Sequence, residues 1–515
     1  MRVEQFLELS ALRLPEKVAL IEGKTRLTYR ALDDAATSLA ATLEARGVVR
    51  GDRVVIFVEN CWEAVVGLFG SLKAGCVFCI VNSSTKADKL GGILNDCRPT
   101  AVITLARLLP VAREAMSRAP SISTVIVAGE RDDLDAPREL GFAEAVAFNG
   151  PRTSFPGIEC DLAMLIYTSG STGVPKGVMM THQNIVAVAT SITTYLENTE
   201  DDIILNVLPI SFGYGLYQIL TAVRLGATLV LEKSFAFPQV AFNLIREEKV
   251  TGFALVPTIA ALILQMRGLQ PGAFPSLRYI TNAAAALSPA HILRLQELFP
   301  AARLYSMYGQ TECTRCTYLL PSELSSRPLS VGIAIPGTEA YVVDDDGNKV
   351  APNVVGELVV RGPHVMKGYW ENPEATSKAL RPGPYPWERV LYTGDLFYAD
   401  AEGFLYFVGR KDDIIKTRGE KVSPKEIENV LYMIEGVQEA VVIGVPDAVL
   451  GAALKAVIVF APGVELTARD VIRHCAQLLE DFMIPKFVEF RSDLPKTYNG
   501  KISRRETARL METHA

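Results

Sequence analysis

The sequence has no long uninterrupted hydrophobic run, which argues against a membrane-spanning helix. Its longest apolar stretch, residues 64–81, contains Lys73 and several glycines, whereas a transmembrane helix needs about 20 consecutive apolar residues. Residues 1–17 are charged throughout and lack the apolar segment and small residues of a signal peptide, so they predict an amphipathic helix. We therefore expect a cytoplasmic protein with no membrane span.

A strong excess of charge of one sign is also absent. Lysine and arginine total 52, aspartate and glutamate total 58, and the formal net charge is -6 over 515 residues. A nucleic-acid partner would be indicated by a basic surface, so none is expected. The length exceeds the span of about 250–300 residues at which single cores stop growing, and we expect two or three domains.

The eight cysteines allow one metal-site hypothesis. Cys76 and Cys79 form one C-x-x-C pair and Cys313 and Cys316 another, and together they could supply a four-thiolate zinc site. The first pair lies in the apolar run AGCVFCIV, however, where free cysteine behaves as a small buried hydrophobe. We favour buried cysteines without a metal, and a cytoplasmic location disfavours disulfides.

Helix and strand patterns alternate over most of the chain, which is typical of α/β layers around mostly parallel sheets. From Glu339 onward, short strands around polar turns predict a small β-rich subdomain. Beyond a charged segment near Gly409, residues 424–491 have the order helix, strand, strand, helix, strand. We predict a large N-terminal α/β domain, residues 1–411, and a small α+β C-terminal domain, residues 412–515.

The strongest local signal is YTSGSTGVPKG, residues 167–177, between two strand patterns. Its glycines let backbone N–H groups approach phosphate oxygens closely, its hydroxyl residues add donors, and Lys176 adds a positive charge. The spacing matches neither the Walker loop nor the dinucleotide G-x-G-x-x-G pattern. The alternative is a surface loop without a ligand.

This loop and four later motifs resemble those of the adenylate-forming superfamily, which contains acyl-CoA synthetases, nonribosomal peptide synthetase adenylation domains and firefly luciferase. The later motifs are YGQTE at 308–312, YTGD at 392–395, GRKD at 409–412 and NGK at 499–501. One such motif would be weak evidence, but five in the expected order over nearly the whole chain are specific. The resemblance implies ATP, Mg²⁺, and CoA or phosphopantetheine as ligands.

The resemblance also assigns a role to individual residues of an ATP site. The implied phosphate-binding residues are Thr168, Ser169, Gly170, Ser171, Thr172, Gly173 and Lys176. The implied contacts to adenine are Tyr308 and Gly309 on one side and Ala284 and Ala285, where relatives have glycine and alanine, on the other. Asp395 and Arg410 would bind the ribose, Thr311 the attacked phosphate, and Glu312 the Mg²⁺ ion, which prefers carboxylate and phosphate oxygens.

Lys501 lies in a polar turn near the C-terminus and, taken alone, is typical of a solvated surface lysine. The resemblance implies that it is the catalytic lysine of adenylation. Attack of a carboxylate on the α-phosphate brings two anions together, and a positioned ammonium stabilises the charge that builds up in the transition state.

The superfamily reuses one site for two half-reactions by rotating a mobile C-terminal domain. Asp412 matches the hinge position, where a few residues absorb the backbone change. Gly419 would then let a pantetheine arm pass close to the backbone. The alternative for this segment is a charged loop with a turn glycine.

The acyl pocket is expected around Phe212, Gly213 and Tyr214. In relatives that activate amino acids, an aspartate at the position of Gly213 pairs with the substrate ammonium. No acidic residue occurs between Asp202 and Glu232, and an unpaired buried ammonium would be costly. We therefore predict a fatty, aryl or hydroxy acid as substrate, although an acid from elsewhere could reach the pocket.

The sequence thus predicts an ATP-dependent ligase that converts a carboxylic acid into its acyl-adenylate and transfers the acyl group to the pantetheine thiol of CoA or of a carrier protein. Three alternatives remain at this point. They are an enzyme that loads an amino or β-amino acid onto a carrier protein, a luciferase-like oxygenase, and a nucleotide-binding regulator without catalysis. Retention of Glu312, Asp395 and Lys501 argues against the last.

Overall fold

The computed structural model describes residues 1–152, 157–169, 175–266, 268–417, 420–447, 451–464, 466–496 and 502–512. The helices are α1 (Gln5–Arg13), α2 (Tyr29–Ala45), α3 (Trp62–Lys73), α4 (Ala87–Cys97), α5 (Leu109–Met116), α6 (Phe142–Ala147), α7 (His182–Tyr195), α8 (Gly213–Leu225), α9 (Pro238–Glu247), α10 (Pro257–Gln265), α11 (Pro289–Leu298), α12 (Pro373–Ala379), α13 (Pro424–Leu431), α14 (Ala468–Leu478) and α15 (Arg504–Glu512). Short 3₁₀ turns are formed by Pro321–Glu323, Lys411–Asp413 and Asp481–Met483.

The strands alternate with these helices over most of the chain. They are β1 (Val18–Glu22), β2 (Thr25–Thr28), β3 (Arg53–Val58), β4 (Val77–Asn82), β5 (Ala101–Leu105), β6 (Thr124–Ala128), β7 (Glu139–Gly141), β8 (Leu162–Ser169), β9 (Pro175–Thr181), β10 (Ile203–Asn206), β11 (Thr228–Leu231), β12 (Gly252–Leu255), β13 (Tyr279–Asn282), β14 (Arg303–Tyr308), β15 (Thr317–Leu319), β16 (Ser330–Ala334), β17 (Glu339–Val343), β18 (Gly356–Arg361), β19 (Gly368–Tyr369), β20 (Leu380–Pro382), β21 (Arg389–Ala399), β22 (Leu405–Arg410), β23 (Ile415–Thr417), β24 (Glu420–Val422), β25 (Val437–Asp447), β26 (Gly451–Phe460) and β27 (Phe487–Phe490).

Two large sheets form the N-terminal part. One has the order β19-β9-β8-β4-β3-β5-β6-β7, and the other runs from β17 and β18 of the β-rich subdomain through β14, β13, β12 and β10 to β1 and β2. Strands β3 to β8 pair in parallel within this sheet, whereas β9 pairs antiparallel with both β8 and β19. Strand β3, RVVIFV, is buried at five of six positions, as parallel strands covered on both faces are. The predicted α/β fold class is confirmed.

The C-terminal part has the predicted order of helix α13, strands β25 and β26, helix α14 and strand β27. Its helices and strands pack around a separate core that includes Ile427, Val442 and Ile458. The last helix, α15, packs against the face of β25 that this core leaves open. A core of its own agrees with an independent domain, and the boundary at Asp412 stays a prediction.

Asp202, at the start of β10, ties together the ends of three parallel strands. Its carboxylate accepts hydrogen bonds from Arg278 Nη2 at 2.7 Å, Thr251 Oγ1 at 2.7 Å, Asn198 Nδ2 at 3.0 Å and the Thr199 amide at 2.9 Å. Burial alone would raise the pKa of Asp202, but these hydrogen bonds, led by the one from Arg278, hold the pKa below its ordinary value. One buried carboxylate therefore holds together the strand ends that lie opposite the candidate site.

We predict that Asp202→Asn lowers the free energy of unfolding by about 3 kcal/mol at pH 7, because the Arg278 charge loses its partner. The measurement is denaturant unfolding, with the exposed neighbour Asp201→Asn as a control that changes stability by about 0.5 kcal/mol or less. Because the folded-state pKa is lowered, the stabilisation is present above the unfolded pKa and is lost as pH falls. The difference in the free energy of unfolding between wild type and Asp202→Asn should therefore become smaller below about pH 5. A difference that stays constant with pH would contradict this role of Asp202.

Candidate active site

The glycine-rich loop joins strands β8 and β9, as the sequence predicted. The two strands pair antiparallel, with Thr168 opposite Lys176 and Tyr167 opposite Gly177. Strand β8 ends at Ser169. The predicted phosphate-binding residues Gly170, Ser171, Thr172 and Gly173 lie outside the described residues.

Strand β19 pairs with the outer edge of β9 and connects this loop to Glu312. The Trp370 amide donates to the Gly177 carbonyl at 2.7 Å. The adjacent Tyr369 ring lies 5.3 Å from Lys176 Nζ, and its hydroxyl donates to Glu312 Oε1 at 2.7 Å. Burial and the Glu312 charge raise the pKa of Tyr369, so the phenol remains a donor at neutral pH. Tyr369 is a site residue that no sequence motif indicated.

The YGQTE segment follows β14 in a tight loop. Gly309 allows the turn, since a Cβ there would lie 2.3 Å from the Thr314 carbonyl oxygen. Thr311 and Glu312 are half-buried, and the Met366 amide fixes the Glu312 carbonyl at 2.8 Å. Glu312 Oε2 forms no hydrogen bond within the described ranges. A carboxylate oxygen left in this position fits a Mg²⁺ ligand.

Tyr308, Asp395 and Arg410 are in direct contact, as expected of one ribose and adenine site. The Tyr308 hydroxyl donates to Asp395 Oδ2 at 2.5 Å, and Arg410 Nε lies 3.2 Å from Asp395 Oδ1. Burial and the Asp395 charge raise the pKa of Tyr308. The Tyr308 ring also packs edge-on against Phe397 at 4.9 Å. The carboxylate is thus oriented by a phenol and a guanidinium, which the motif alone did not indicate.

Ala284 and Ala285 are exposed after the end of β13, where they can form a wall. The Ala285 carbonyl accepts a hydrogen bond from Asn282 Nδ2 at 2.9 Å, which fixes the turn. Ala284 has a φ of 75°, a left-handed conformation that costs an alanine about 1–2 kcal/mol. A glycine in this turn would adopt the same conformation without that cost.

The segment expected at the acyl pocket begins helix α8. Phe212 precedes its first turn, and Gly213 has no heavy atom within 4 Å of an added Cβ. The Tyr214 hydroxyl contacts the Thr281 Oγ1 at 2.7 Å, and its ring lies 5.0 Å from the Arg315 guanidinium carbon. The acyl segment is therefore adjacent to the loop that carries Glu312.

Asp412 is exposed and lies between two residues held by opposite parts of the chain. Lys411 Nζ binds Glu357 at 3.2 Å and Asp345 at 3.0 Å in the β-rich subdomain. Asp413 binds Arg504 of the C-terminal helix α15 at 2.6 Å. The other two residues predicted for the moving domain, Gly419 and Lys501, lie outside the described residues.

The cysteine pairs do not gather into one cluster. Cys76 and Cys79 lie at β4, and Cys313 and Cys316 face each other in the YGQTE loop with 3.0 Å between their sulfurs. No group of three or more metal-binding side chains of the histidine, cysteine and acidic types occurs in the described part of the chain. The described residues therefore give the four-thiolate zinc hypothesis no support.

Layered α/β sheets, a separate α+β unit and a glycine-rich loop at the end of a buried strand define the class of adenylate-forming enzymes. Residues 7–370 match the family model of the AMP-binding enzyme, and residues 426–501 match the AMP-binding enzyme C-terminal domain. The chain belongs to this AMP-binding enzyme family.

Individual relatives extend over nearly the whole chain. The long-chain-fatty-acid–CoA ligase of Bacillus subtilis (strain 168) is 33% identical, over 98% of this chain and 93% of the relative. The structure of anthranilate CoA ligase AuaEII with anthranoyl-AMP has a TM-score of 0.89 at 27% identity, over 100% and 98% of the two chains. ATP-bound MatB from Rhodopseudomonas palustris has a TM-score of 0.89 at 27% identity, over 99% of each.

The protein is therefore an AMP-forming acid–thiol ligase, which activates a carboxylic acid as its acyl-adenylate and transfers the acyl group to CoA. ATP and CoA are its co-substrates. None of the helices in the described ranges is long and apolar enough to cross a bilayer.

We predict that Tyr369→Phe lowers kcat/KM for ATP by about tenfold, because Glu312 loses a charge-assisted hydrogen bond. The measurement is pyrophosphate release at several Mg²⁺ concentrations, and the variant should need more Mg²⁺ for half-maximal activity. Tyr385→Phe is the matched control, since Tyr385 is exposed and stacks on Trp387. Equal activity of both variants would remove Tyr369 from the site.

Proposed function

We propose that this enzyme joins a carboxylic acid that carries no ammonium group to CoA, in two steps at one site. The observation that carries the proposal is the contact series Lys176–Tyr369–Glu312, which links the phosphate loop to a carboxylate suited to Mg²⁺. The acid and the residue roles below are part of this proposal.

ATP would bind along the face that these residues share. Its triphosphate lies against the loop after Thr168 and near Lys176, and its adenine lies between Tyr308 and the turn at Ala284. Asp395 accepts hydrogen bonds from the ribose hydroxyls, and it is already oriented by Tyr308 and Arg410. A carboxylate held in place beforehand loses little entropy when the sugar binds.

Glu312 would hold a Mg²⁺ ion through the carboxylate oxygen that Tyr369 does not occupy. When bound, the ion neutralises phosphate charge. Thr311, beside Glu312 in the same loop, would donate a hydrogen bond to the phosphate under attack.

In the first step, a carboxylate oxygen of the acid attacks the α-phosphorus of ATP. A new P–O bond forms, the bond to the β-phosphate oxygen breaks, and pyrophosphate leaves with the electron pair. The nucleophile is already an anion, so no general base is needed. Lys501 would supply an ammonium between the two anionic reactants, where it stabilises the transition state more than the ground state.

In the second step, the sulfur of CoA attacks the acyl carbon, AMP leaves, and the thiol proton is released. We propose that the C-terminal domain, residues 412–515, first rotates about Asp412 and brings Gly419 to the pantetheine channel. The ion pairs of Lys411 and Asp413, on opposite sides of Asp412, support a pivot at this residue. CoA is the acceptor in this step, as it is for the CoA ligases to which the chain is similar.

The proposal that the substrate carries no ammonium group is supported by Gly213 and its surroundings. The nearest acidic residue before it in the chain, Asp202, is buried and bound to Arg278, and the space beside Gly213 is open. An ammonium group in this place would have no carboxylate partner among these residues. The acids of the named relatives, long-chain fatty acids and anthranilate, carry no aliphatic ammonium group either.

We predict that Lys501→Ala reduces adenylate formation by about a hundredfold or more, whereas transfer from supplied acyl-adenylate to CoA persists. The reason is that Lys501 occupies the site only during adenylation. The measurements are ATP–pyrophosphate exchange and thioester formation from synthetic acyl-adenylate.

Gly419→Leu is the complementary variant, because its side chain would fill the pantetheine channel. It should block thioester formation while exchange continues. If Lys501→Ala reduced both half-reactions equally, rotation of the domain between them would be contradicted.

We predict that Gly213→Asp improves the use of β-amino acids relative to the matching unsubstituted acids, because the new carboxylate has room beside α8 and can pair with an ammonium. Pyrophosphate release is compared for matched pairs in both enzymes. Gly213→Asn is the control for added volume without charge. A wild type that prefers the amino acid would refute the assignment of this pocket.

A further inference from the structure

Arg315 is a buried arginine in the loop between β14 and β15. Its residue exposure is 3%. The loop is held tightly there, because the Cys316 amide donates to the Tyr308 carbonyl at 2.9 Å and a Cβ on Gly309 would lie 2.8 Å from the Arg315 Cα. The backbone that carries Arg315 is therefore held against the start of the YGQTE loop.

The Arg315 guanidinium has no anionic partner within the described ranges. Its Nε is buried without a hydrogen bond, and no carboxylate lies within ion-pair distance. Among the described residues, the guanidinium carbon lies 5.0 Å from the centre of the Tyr214 ring, a cation–π contact. Arg278 and Arg504 differ from it, since Arg278 binds Asp202 and Arg504 binds both Glu428 and Asp413.

The surroundings of Arg315 do not fully compensate for the burial of its charge. An arginine stays protonated in proteins, and a buried charge without a partner is unfavourable. A cation–π contact offsets only part of that cost. Gln310 Nε2 and Thr317 Oγ1, from the same loop and the strand after it, are also buried without partners. The loop therefore carries several unused hydrogen-bond donors around one positive charge.

The position of Arg315 indicates which ligand supplies the missing anion. Lys176 and Glu312 both contact Tyr369 of β19. Arg315 instead contacts Tyr214, next to Gly213 at the start of α8, where the acyl group is proposed to lie. An anion here would therefore belong to the acid, at a point away from its reacting carboxylate.

We propose that Arg315 binds a second carboxylate of the acyl substrate, so that the acid activated by this enzyme is a dicarboxylate. The inference rests on the proposed function and specifies its substrate class. A positive charge in the pocket also disfavours an ammonium group on the acid, in agreement with Gly213. The second carboxylate completes the charge pair and accepts hydrogen bonds from the guanidinium in bidentate geometry.

The first experiment needs only the wild type. Pyrophosphate release is measured for a chain-length series of saturated acids and for benzoate, each paired with its carboxy-substituted counterpart and with the monomethyl ester of that diacid. At the best length, we expect kcat/KM for the diacid to exceed that for its ester by at least about tenfold. A preference for the monoacid or the ester at every length would overturn the proposal, although pyrophosphate release would uphold adenylation.

The second experiment uses Arg315→Met, which retains an apolar stem, and Arg315→Lys, which retains the charge. The ratio of kcat/KM for diacid over ester should fall at least about tenfold in Arg315→Met and partly recover in Arg315→Lys. Arg327→Met is the matched control, because Arg327 also lies over an aromatic ring, Phe404, but binds Glu323 and Glu402. Its ratio should match the wild type.

The remaining outcomes also decide the matter. If Arg315→Met raises the KM for ATP and leaves the ratio unchanged, the guanidinium serves a nucleotide phosphate and the proposal fails. If Arg315→Met does not fold, two non-hydrolysable acyl-sulfamoyl adenosines, with and without a terminal carboxylate, are compared by calorimetry on the wild type. Equal affinity would overturn the proposal, and tighter binding of the carboxylate form would support it. If no acid releases pyrophosphate, the proposed function fails and this inference fails with it.

Discussion

The backbone pairing of β19 with β9 is the constraint on which the candidate active site depends. The hydrogen bond from the Trp370 amide to the Gly177 carbonyl sets the neighbouring Tyr369 between Lys176 and Glu312. Without that pairing, Lys176 and Glu312 would sit on separate sheets with nothing between them. The two residues of β19 thereby bring together two motifs that are far apart in the chain.

Much of the fold and part of the site could be predicted from the sequence. Alternating periodicity indicated the α/β layers, and the resemblance of five short motifs to those of the adenylate-forming superfamily indicated Tyr308, Glu312 and Asp395. Tyr369 and Arg315 could not be found in this way. Their roles arise from pairing and burial between segments distant in sequence, and periodicity reports only the surroundings of neighbouring residues.

Two arginines show that the role of this side chain depends on the residues around it. Arg278 is matched by Asp202, and the pair joins the ends of parallel strands. Arg315 is enclosed by a tight loop and the Tyr214 ring without such a match in the described residues. A buried charge that is paired within the chain stabilises the folded structure, whereas a buried charge without a partner in the chain can serve to bind a ligand.

The ion pairs beside Asp412 have a mechanical consequence. Lys411 is held by Glu357 and Asp413 by Arg504, so the domain rotation that we propose would be concentrated in the backbone torsion angles of Asp412. A rotation confined to one residue would not bend a longer segment of backbone, so the connection would store little elastic energy. The orientation of the C-terminal domain would then be set by the surfaces that come into contact in each state, and a bound ligand could change it.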